Sequence, residues 1–333
     1  MKLLVTGGGG FLGGAIVRRA VERGDTVRSI SRGSYPELDA LGVASFRADL
    51  GDEGPATRAE LDRALEGVDC VVHTAAKAGV WGAHADFHRA NVVATRQVVE
   101  AALRQGVPRF VHTSSPSVCF TGADEVDAGN DLPLADEFLA HYPATKAAAE
   151  RLVLATSGSA MATCALRPHL IFGPGDPHLF PRLIERGKRK KLKRVGSGTN
   201  EVTLCYVDNA AHAHLLAADA LAPGAPHAGR AYFIGQTEPV NLWDWLDHVF
   251  AELGLPPIRG QVSAATARRA GAVLEGVWKL LRLPGEPPMT RFVAAQLSTS
   301  HSYAMEPAAR DFGYAPVVDL EAATARAIAA FRG

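Results

Sequence analysis

"KLLVTGGGGFLGGAIVRRAVERG", residues 2–24, is the stretch on which the fold turns. The run Lys2 to Thr6 is apolar enough for a buried strand. Glycine then fills positions 7 to 10, and from Phe11 the chain resumes with apolar residues at helical spacing until Gly24. Gly7, Gly10 and Gly13 stand in G-x-x-G-x-x-G spacing, and Gly8, Gly10 and Gly13 satisfy G-x-G-x-x-G. Glycine permits positive φ and close backbone approach, while the helix start behind it offers unpaired N–H groups and the positive end of its dipole. Glycines alone are a weak signal. Strand before, helix after, within a βαβ unit of about thirty residues, make them specific for a dinucleotide pyrophosphate.

Outward from there, short apolar runs keep alternating with helical patterns. "TVRSIS" (26–31), "ASFRADL" (44–50), "DCVVHTAA" (69–76), "RFVHTSS" (109–115), "ATCALRPHLIFG" (162–173) and "RAYFIG" (230–235) read as strands. "RAELDRALEG" (58–67) and "HRANVVATRQVVEAALRQG" (88–106) read as helices, and "EVTLCYVDNAAHAHLLAADAL" (201–221) as a strand running into one. The alternation predicts an α/β fold: a doubly wound parallel Rossmann sheet with helices on both faces. After Gly173 the pattern loosens, which predicts a smaller, mostly helical C-terminal substrate lobe. The expected division is 1–172 plus 203–235 for dinucleotide binding and 173–202 plus 236–333 for the substrate lobe.

Which dinucleotide is bound depends on the end of the second strand, where an acid holds the ribose 2′-hydroxyl of NAD. Here the chain reads Ser31 and Arg32, with no acid. An arginine there pairs with a 2′-phosphate, so NADP(H) is expected over NAD(H). Asp49, ending the third strand, is placed to meet the adenine amino group.

Two further stretches carry chemistry. "HTSSPSV" (112–118) puts serines at the end of the fifth strand, where a doubly wound sheet binds its ligands. "HYPATKAAAE" (141–150) sets Tyr142 and Lys146 on one helix face, and Pro143 places that face in the first turn. Taken alone, Y-x-x-x-K also describes a surface helix with an aromatic anchor. Lysines plus arginines number 35 and aspartates plus glutamates 35, a balance that makes no case for nucleic acid. Four cysteines lack C-x-x-C spacing, which argues against zinc and suits a reducing cytoplasm. The N-terminus lacks a secretory apolar core. "GAVLEGVWKLLRL" (271–283) is broken by Glu275 and Lys279 and falls short of the ~20 residues of a membrane span. It reads as an amphipathic helix, first for core packing, otherwise for a lid or a peripheral membrane contact.

Together "TGGGGFLG", "HTAA", "HTSSPSV", "YPATK" and "LRPHLIFGPGD" resemble the extended short-chain dehydrogenase/reductase superfamily, in its 3β-hydroxysteroid dehydrogenase branch. "AAKAGVWG" (75–82) and the terminal "EPPMTRFVAAQL…SYAMEPAARDFGYAP" are most similar to the bacterial 2-alkyl-3-oxoalkanoate reductases of long-chain olefin biosynthesis. The resemblance implies that Tyr142 is the proton donor, Lys146 its tuner and a ribose ligand, and Ser115 the donor to the carbonyl oxygen, with Ser117 auxiliary. It places Gly7, Gly10, Phe11, Leu12, Gly13, Ser31, Arg32, Asp49, Leu50, Ala75, Tyr142, Lys146 and Pro168 around the cofactor. Asn91 matches a helix asparagine; His169 sits where such sequences vary. A free phenol titrates near ~10, and a neighbouring ammonium is expected to lower it.

The implied substrate is a β-keto or β-hydroxy acid with long alkyl chains. Candidate cations for its carboxylate are Lys77, Arg182 and Arg291, each of which otherwise reads as a surface charge; candidate walls are Val80, Trp81, Phe180, Trp278 and Phe292, which read equally as ordinary core packing. A sterol-4-carboxylate 3-dehydrogenase handles a similar acid. A nucleotide-sugar epimerase on this scaffold would hold NAD and carry an acid near Ser31. Helices near 85–105 and 142–156 are the faces that would form a homodimer, and association with other olefin-pathway enzymes also follows from the resemblance. The run "RLIERGKRKKLKR" (182–194) carries eight cations and reads as a solvated face, or else a docking site for a partner or anionic membrane.

Overall fold

The computed structural model describes residues 1–177, 179–189 and 192–332. The apolar runs form seven strands: β1 (Lys2–Thr6), β2 (Thr26–Ser31), β3 (Ala44–Arg47), β4 (Cys70–His73), β5 (Arg109–Thr113), β6 (Ala162–Pro168) and β7 (Ala231–Ile234). Every pairing among them is parallel, in the order β7-β6-β5-β4-β1-β2-β3. Alternate residues face opposite layers. Leu3 and Val5 enter one buried cluster with Val72 and Val111, while Leu4 enters the other with Val71 and Phe110. Both faces of the central strands are covered, so β1, β4 and β6 are buried at nearly every position, whereas the edge strand β3 is largely exposed. Strand order reverses between β1 and β4, and this opens a crevice at their carboxyl ends.

Helix α1 (Phe11–Glu22) packs against a later helix (Val207–Ala220), which carries the "VDNAAHAHLL" pattern. The long helix expected over 88–106 starts differently. Residues His88–Val93 form a π-helical turn, and regular α2 (Ala94–Arg104) follows. Asn91 sits inside that widened turn, a geometry that recurs near functional sites. The sixth strand is also split: β6 stops at Pro168, Leu170 takes a left-handed conformation (φ 44°), and Ile171–Phe172 pairs instead with Cys205–Tyr206. Residues 201–206 accordingly form two short strands before the helix, not one.

A second, four-stranded sheet joins distant segments. His301–Tyr303 runs parallel to both Glu201–Val202 and Glu125–Ala128, and Val240–Asn241 pairs antiparallel with Glu201–Val202. All four cysteines are buried and free. Lys190 and Lys191 of the basic run lie outside the described residues. Several of its described cations are paired: Arg182 with Glu286 at 3.1 Å, Arg189 with Glu185 at 2.7 Å, and Arg194 with Asp247.

Candidate active site

The glycine turn opens onto a cavity of about 650 Å³. Gly7, Gly10, Phe11, Leu12, Gly13, Ser31, Arg32, Asp49, Leu50 and Ala75 all stand in its wall. Gly7 has φ +70°, and its carbonyl accepts the Gly10 N–H at 2.9 Å. A Cβ at Gly13 would overlap that carbonyl, so helix α1 meets the turn as closely as backbone allows. Among the described residues no side chain caps α1, which leaves its first amides for a ligand. The Ser31 hydroxyl is buried and, among the described residues, has no hydrogen-bond partner. Such a cradle, with an orphaned hydroxyl in its wall, fits the diphosphate and ribose of a dinucleotide.

At the outer end Arg32 is exposed and, among the described residues, in no ion pair. Asp49 is held differently: Arg89 bonds it at 2.9 Å and the Gly51 N–H at 3.1 Å. Burial opposes its ionisation, yet these two bonds keep the carboxyl below its usual range. Sequence reasoning missed Arg89, and also Tyr35, whose ring covers Gly9 so closely that no Cβ fits there. Tyr35 gave one signal, an aromatic just beyond the Ser31–Arg32 corner.

Tyr142 is the second residue of α3 (His141–Ala155), with Pro143 in the same first turn. One turn on, the buried Lys146 sends its Nζ to the Thr113 carbonyl at 2.5 Å and to Nε2 of His112 at 3.3 Å. Ser115 caps the short turn Pro116–Val118, its Oγ 2.9 Å from that of Ser117. The fold therefore gathers Tyr142, Lys146 and Ser115 at the carboxyl end of β5. Pro168 closes the neighbouring β6; it, Ser115, Tyr142 and Lys146 all lie outside the wall of that cavity. His169 turns inward to the Thr203 carbonyl at 2.6 Å.

The electrostatics differ from the expectation that Lys146 lowers the phenol. Burial pushes the Tyr142 hydroxyl above its ordinary value, and a hydrogen bond from Ser115 only partly offsets this. The ammonium is engaged elsewhere, and burial lowers it to about 8 against the favourable charge of Glu150.

A chain of hydrogen bonds ties this helix to the glycine turn. The Thr95 hydroxyl donates to the Asn91 carbonyl at 2.6 Å, so it accepts from Nε2–H of His73 at 2.9 Å. Nδ1 of His73 is then bare and accepts from the Thr6 hydroxyl at 2.8 Å, while Thr6 receives the Ala75 N–H at 3.1 Å. Asn91 continues the chain, accepting the Lys77 N–H at 2.7 Å and donating to Thr145 at 3.0 Å. Burial, with the Lys146 charge adding to it, depresses His73 to about 3. It is a neutral brace between strand β1 and α2, and Asn91 carries the chain on to the helix of Tyr142.

The substrate candidates separate. Lys77 stands in the cavity wall, 3.9 Å from Asp86. Arg182 is paired with Glu286, and Arg291 with Glu275 at 2.8 Å. Phe180 is fully buried among Phe172, Trp245 and Phe331, so it is core rather than a substrate wall. Phe292 packs edge-on to Phe120 beyond the serine turn. Val80 and Trp81 are half-buried, and Trp81 lies under Lys279. Trp278 is half-buried, its indole N–H without a partner among the described residues.

Comparison with known proteins agrees with this geometry. The 3-beta hydroxysteroid dehydrogenase/isomerase family profile matches residues 4–261. The 2-alkyl-3-oxoalkanoate reductase of Stenotrophomonas maltophilia (strain K279a) is 49% identical over 323 residues, 96% of each chain. The sterol-4-alpha-carboxylate 3-dehydrogenase, decarboxylating, of Mus musculus is 34% identical over 99% of this chain and 91% of its own. Among solved structures, MoeE5 in complex with UDP-glucose and NAD superposes with a TM-score of 0.73 at 26% identity, covering 100% of this chain and 99% of that one.

Proposed function

This chain belongs to the 3-beta hydroxysteroid dehydrogenase/isomerase family and is an NAD(P)-dependent oxidoreductase of the short-chain dehydrogenase/reductase superfamily; from that premise we propose that it reduces 2-alkyl-3-oxoalkanoates to 2-alkyl-3-hydroxyalkanoates, reversibly and with NADPH, in long-chain olefin biosynthesis. The observation that supports the reaction is the meeting of Tyr142, Ser115 and Lys146 at the carboxyl end of β5, the same end of the parallel sheet at which β1 runs into the glycine turn. The substrate class is supported by the likeness to the Stenotrophomonas reductase.

A bound nicotinamide supplies the hydride. Tyr142 gives its phenolic proton to the oxygen that becomes the alcohol; a pKa above the ordinary value keeps that proton in place at neutral pH. Ser115 donates to the same oxygen, a contact whose loss costs on the order of 100-fold. Lys146 holds its charge below about pH 8 and offers that ammonium to the ribose. Arg32 takes the 2′-phosphate. Lys77, in the cavity wall, meets the substrate carboxylate. The alkyl chains run toward the segments 173–202 and 236–333, which form the substrate lobe over the dinucleotide-binding part, 1–172 plus 203–235.

Because β-keto acids lose carbon dioxide readily, the oxidative direction gives the cleaner test. Purified protein is given NADP⁺ or NAD⁺ with 2-alkyl-3-hydroxy acids, sterol 4-carboxylates and UDP-sugars in turn. Formation of reduced cofactor with the 2-alkyl-3-hydroxy acids, faster with NADP⁺, is the expected result. Turnover of sterols or UDP-sugars alone overturns the substrate assignment.

A further inference from the structure

Glycine fills positions 7 to 10 of the dinucleotide turn, and the turn itself accounts for only part of that run. Gly7 needs its positive φ, and a Cβ at Gly8 would overlap the Ser29 hydroxyl. Gly9 has no positive φ, and the three atoms nearest its missing Cβ all belong to the Tyr35 ring, which a side chain there would strike. Gly9 is therefore a seat for that ring.

Local chemistry brings Tyr35 to it. Tyr35 precedes Pro36, which opens the short helix Pro36–Ala40 and favours extended backbone before it; Tyr35 has φ −134° and ψ 91°. The Cγ end of its ring rests on Gly9. The hydroxyl end rests on Gly33, where a Cβ would lie 3.3 Å from Cζ and Oη. The ring thus bridges the first βα turn and the corner that follows β2.

At that corner donors gather without acceptors. Tyr35 stands in the cavity wall, and its hydroxyl has no hydrogen-bond partner among the described residues. Arg32, beside Gly33, is exposed and in no ion pair among the described residues, and the Ser31 hydroxyl is orphaned. Asp49, the carboxylate that the Arg32 charge reaches, is already held by Arg89 at 2.9 Å and the Gly51 N–H at 3.1 Å. A phenolic donor and a guanidinium, with no free carboxylate between them, make a site for a phosphate.

We propose that Tyr35 is a specificity-determining residue for the cofactor: its hydroxyl donates to the 2′-phosphate of NADP(H) beside Arg32, and Gly9 lacks a side chain in order to seat it. This role rests on the NADP(H) reading above and adds a residue to it. Arg32, on an exposed stem, supplies charge. Tyr35, packed at both ends of its ring, supplies a fixed direction.

Binding tests this without turnover. NADPH and NADH are titrated by fluorescence into the full chain and its Tyr35→Phe variant, and adenosine 2′,5′-bisphosphate and adenosine 5′-phosphate by calorimetry. The wild type should prefer NADPH and the bisphosphate. Tyr35→Phe should weaken those two about tenfold, as loss of a hydrogen bond to a charged group requires, and leave the other two within about twofold. Phenylalanine keeps the ring on Gly9, so the melting temperature should stay at the wild-type value. Undiminished discrimination by Tyr35→Phe overturns the proposal and leaves the NADP(H) reading standing. Equal losses for all four ligands also overturn it, because the hydroxyl would then serve the adenosine they share. A wild type that binds NADPH no better than NADH overturns the NADP(H) reading, and the role of Tyr35 with it.

Discussion

Lys146 donates to Nε2 of His112 across 3.3 Å, and this bond decides the tautomer of the histidine. Nε2 must be the bare acceptor, so the proton sits on Nδ1, buried and unpartnered among the described residues. Burial, then the adjacent ammonium, hold His112 well below its ordinary pKa. Behind it His73 stacks with ring centroids 5.5 Å apart. The lysine is thus seated on a neutral imidazole and a backbone carbonyl.

Ketone reduction should slow as pH rises through about 8, where Lys146 loses its proton, while the raised phenol of Tyr142 stays protonated across that range. The pH profile of kcat/KM checks this. His112→Leu removes an acceptor that favours the ammonium, so the break should move to lower pH. A break unchanged in Lys146→Met would assign it to another group.

Tyr142→Phe keeps the ring and removes the proton. Turnover should fall at least ~1,000-fold, within the scale of general acid catalysis and its coupled contacts. Dinucleotide affinity, measured by fluorescence titration, should stay near wild type, because the cradle is built from other residues.

Arg32→Ala should raise KM for NADPH about tenfold and leave that for NADH nearly unchanged, as loss of a charge-assisted phosphate contact requires. Equal effects on both cofactors would give Arg32 no part in discrimination.

Gly13→Ala drives a methyl group into the Gly7 carbonyl, and backbone on both sides must move. A stability loss of about 1–3 kcal/mol is expected, the range for overpacking, with dinucleotide binding weakened alongside it. Denaturant unfolding and titration read the two effects separately.

Acid should destabilise the fold early. His73 is depressed to about 3, His169 and His214 to about 4, all by burial. Between these values and the ordinary 6.5 the unfolded chain binds more protons than the native one, so stability rises with pH across that window and is lost on acidification. Melting temperatures should fall from about pH 6.5 downward, and a flat profile to pH 4 would contradict the neutral buried state of these rings.

Much of the site was legible in the chain. The glycine spacing, the Tyr142–Lys146 pair on a helix start, and the serines ending β5 each express local chemistry: positive φ, helical periodicity, a strand's carboxyl end. The His73 brace was not legible, because Thr6 reaches His73 only when β1 and β4 pair, and Thr95 reaches it only from α2. Phe180 read equally as a substrate wall or as core, and only the fold decides for core, with aromatic residues from 172, 245 and 331 enclosing it.

Amino-acid order alone thus specified a doubly wound sheet, a dinucleotide turn and a tyrosine–lysine pair, since each follows from spacing within a few residues. Folding settled the acid–base balance, because a pKa depends on burial and on partners such as Thr113, far from Lys146 in the chain. It also settled which side of the helix Ala264–Leu281 faces inward. The small residues Ala267 and Gly271 admit the backbone at Thr290, and that close fit turns Leu280 and Leu281 out to solvent.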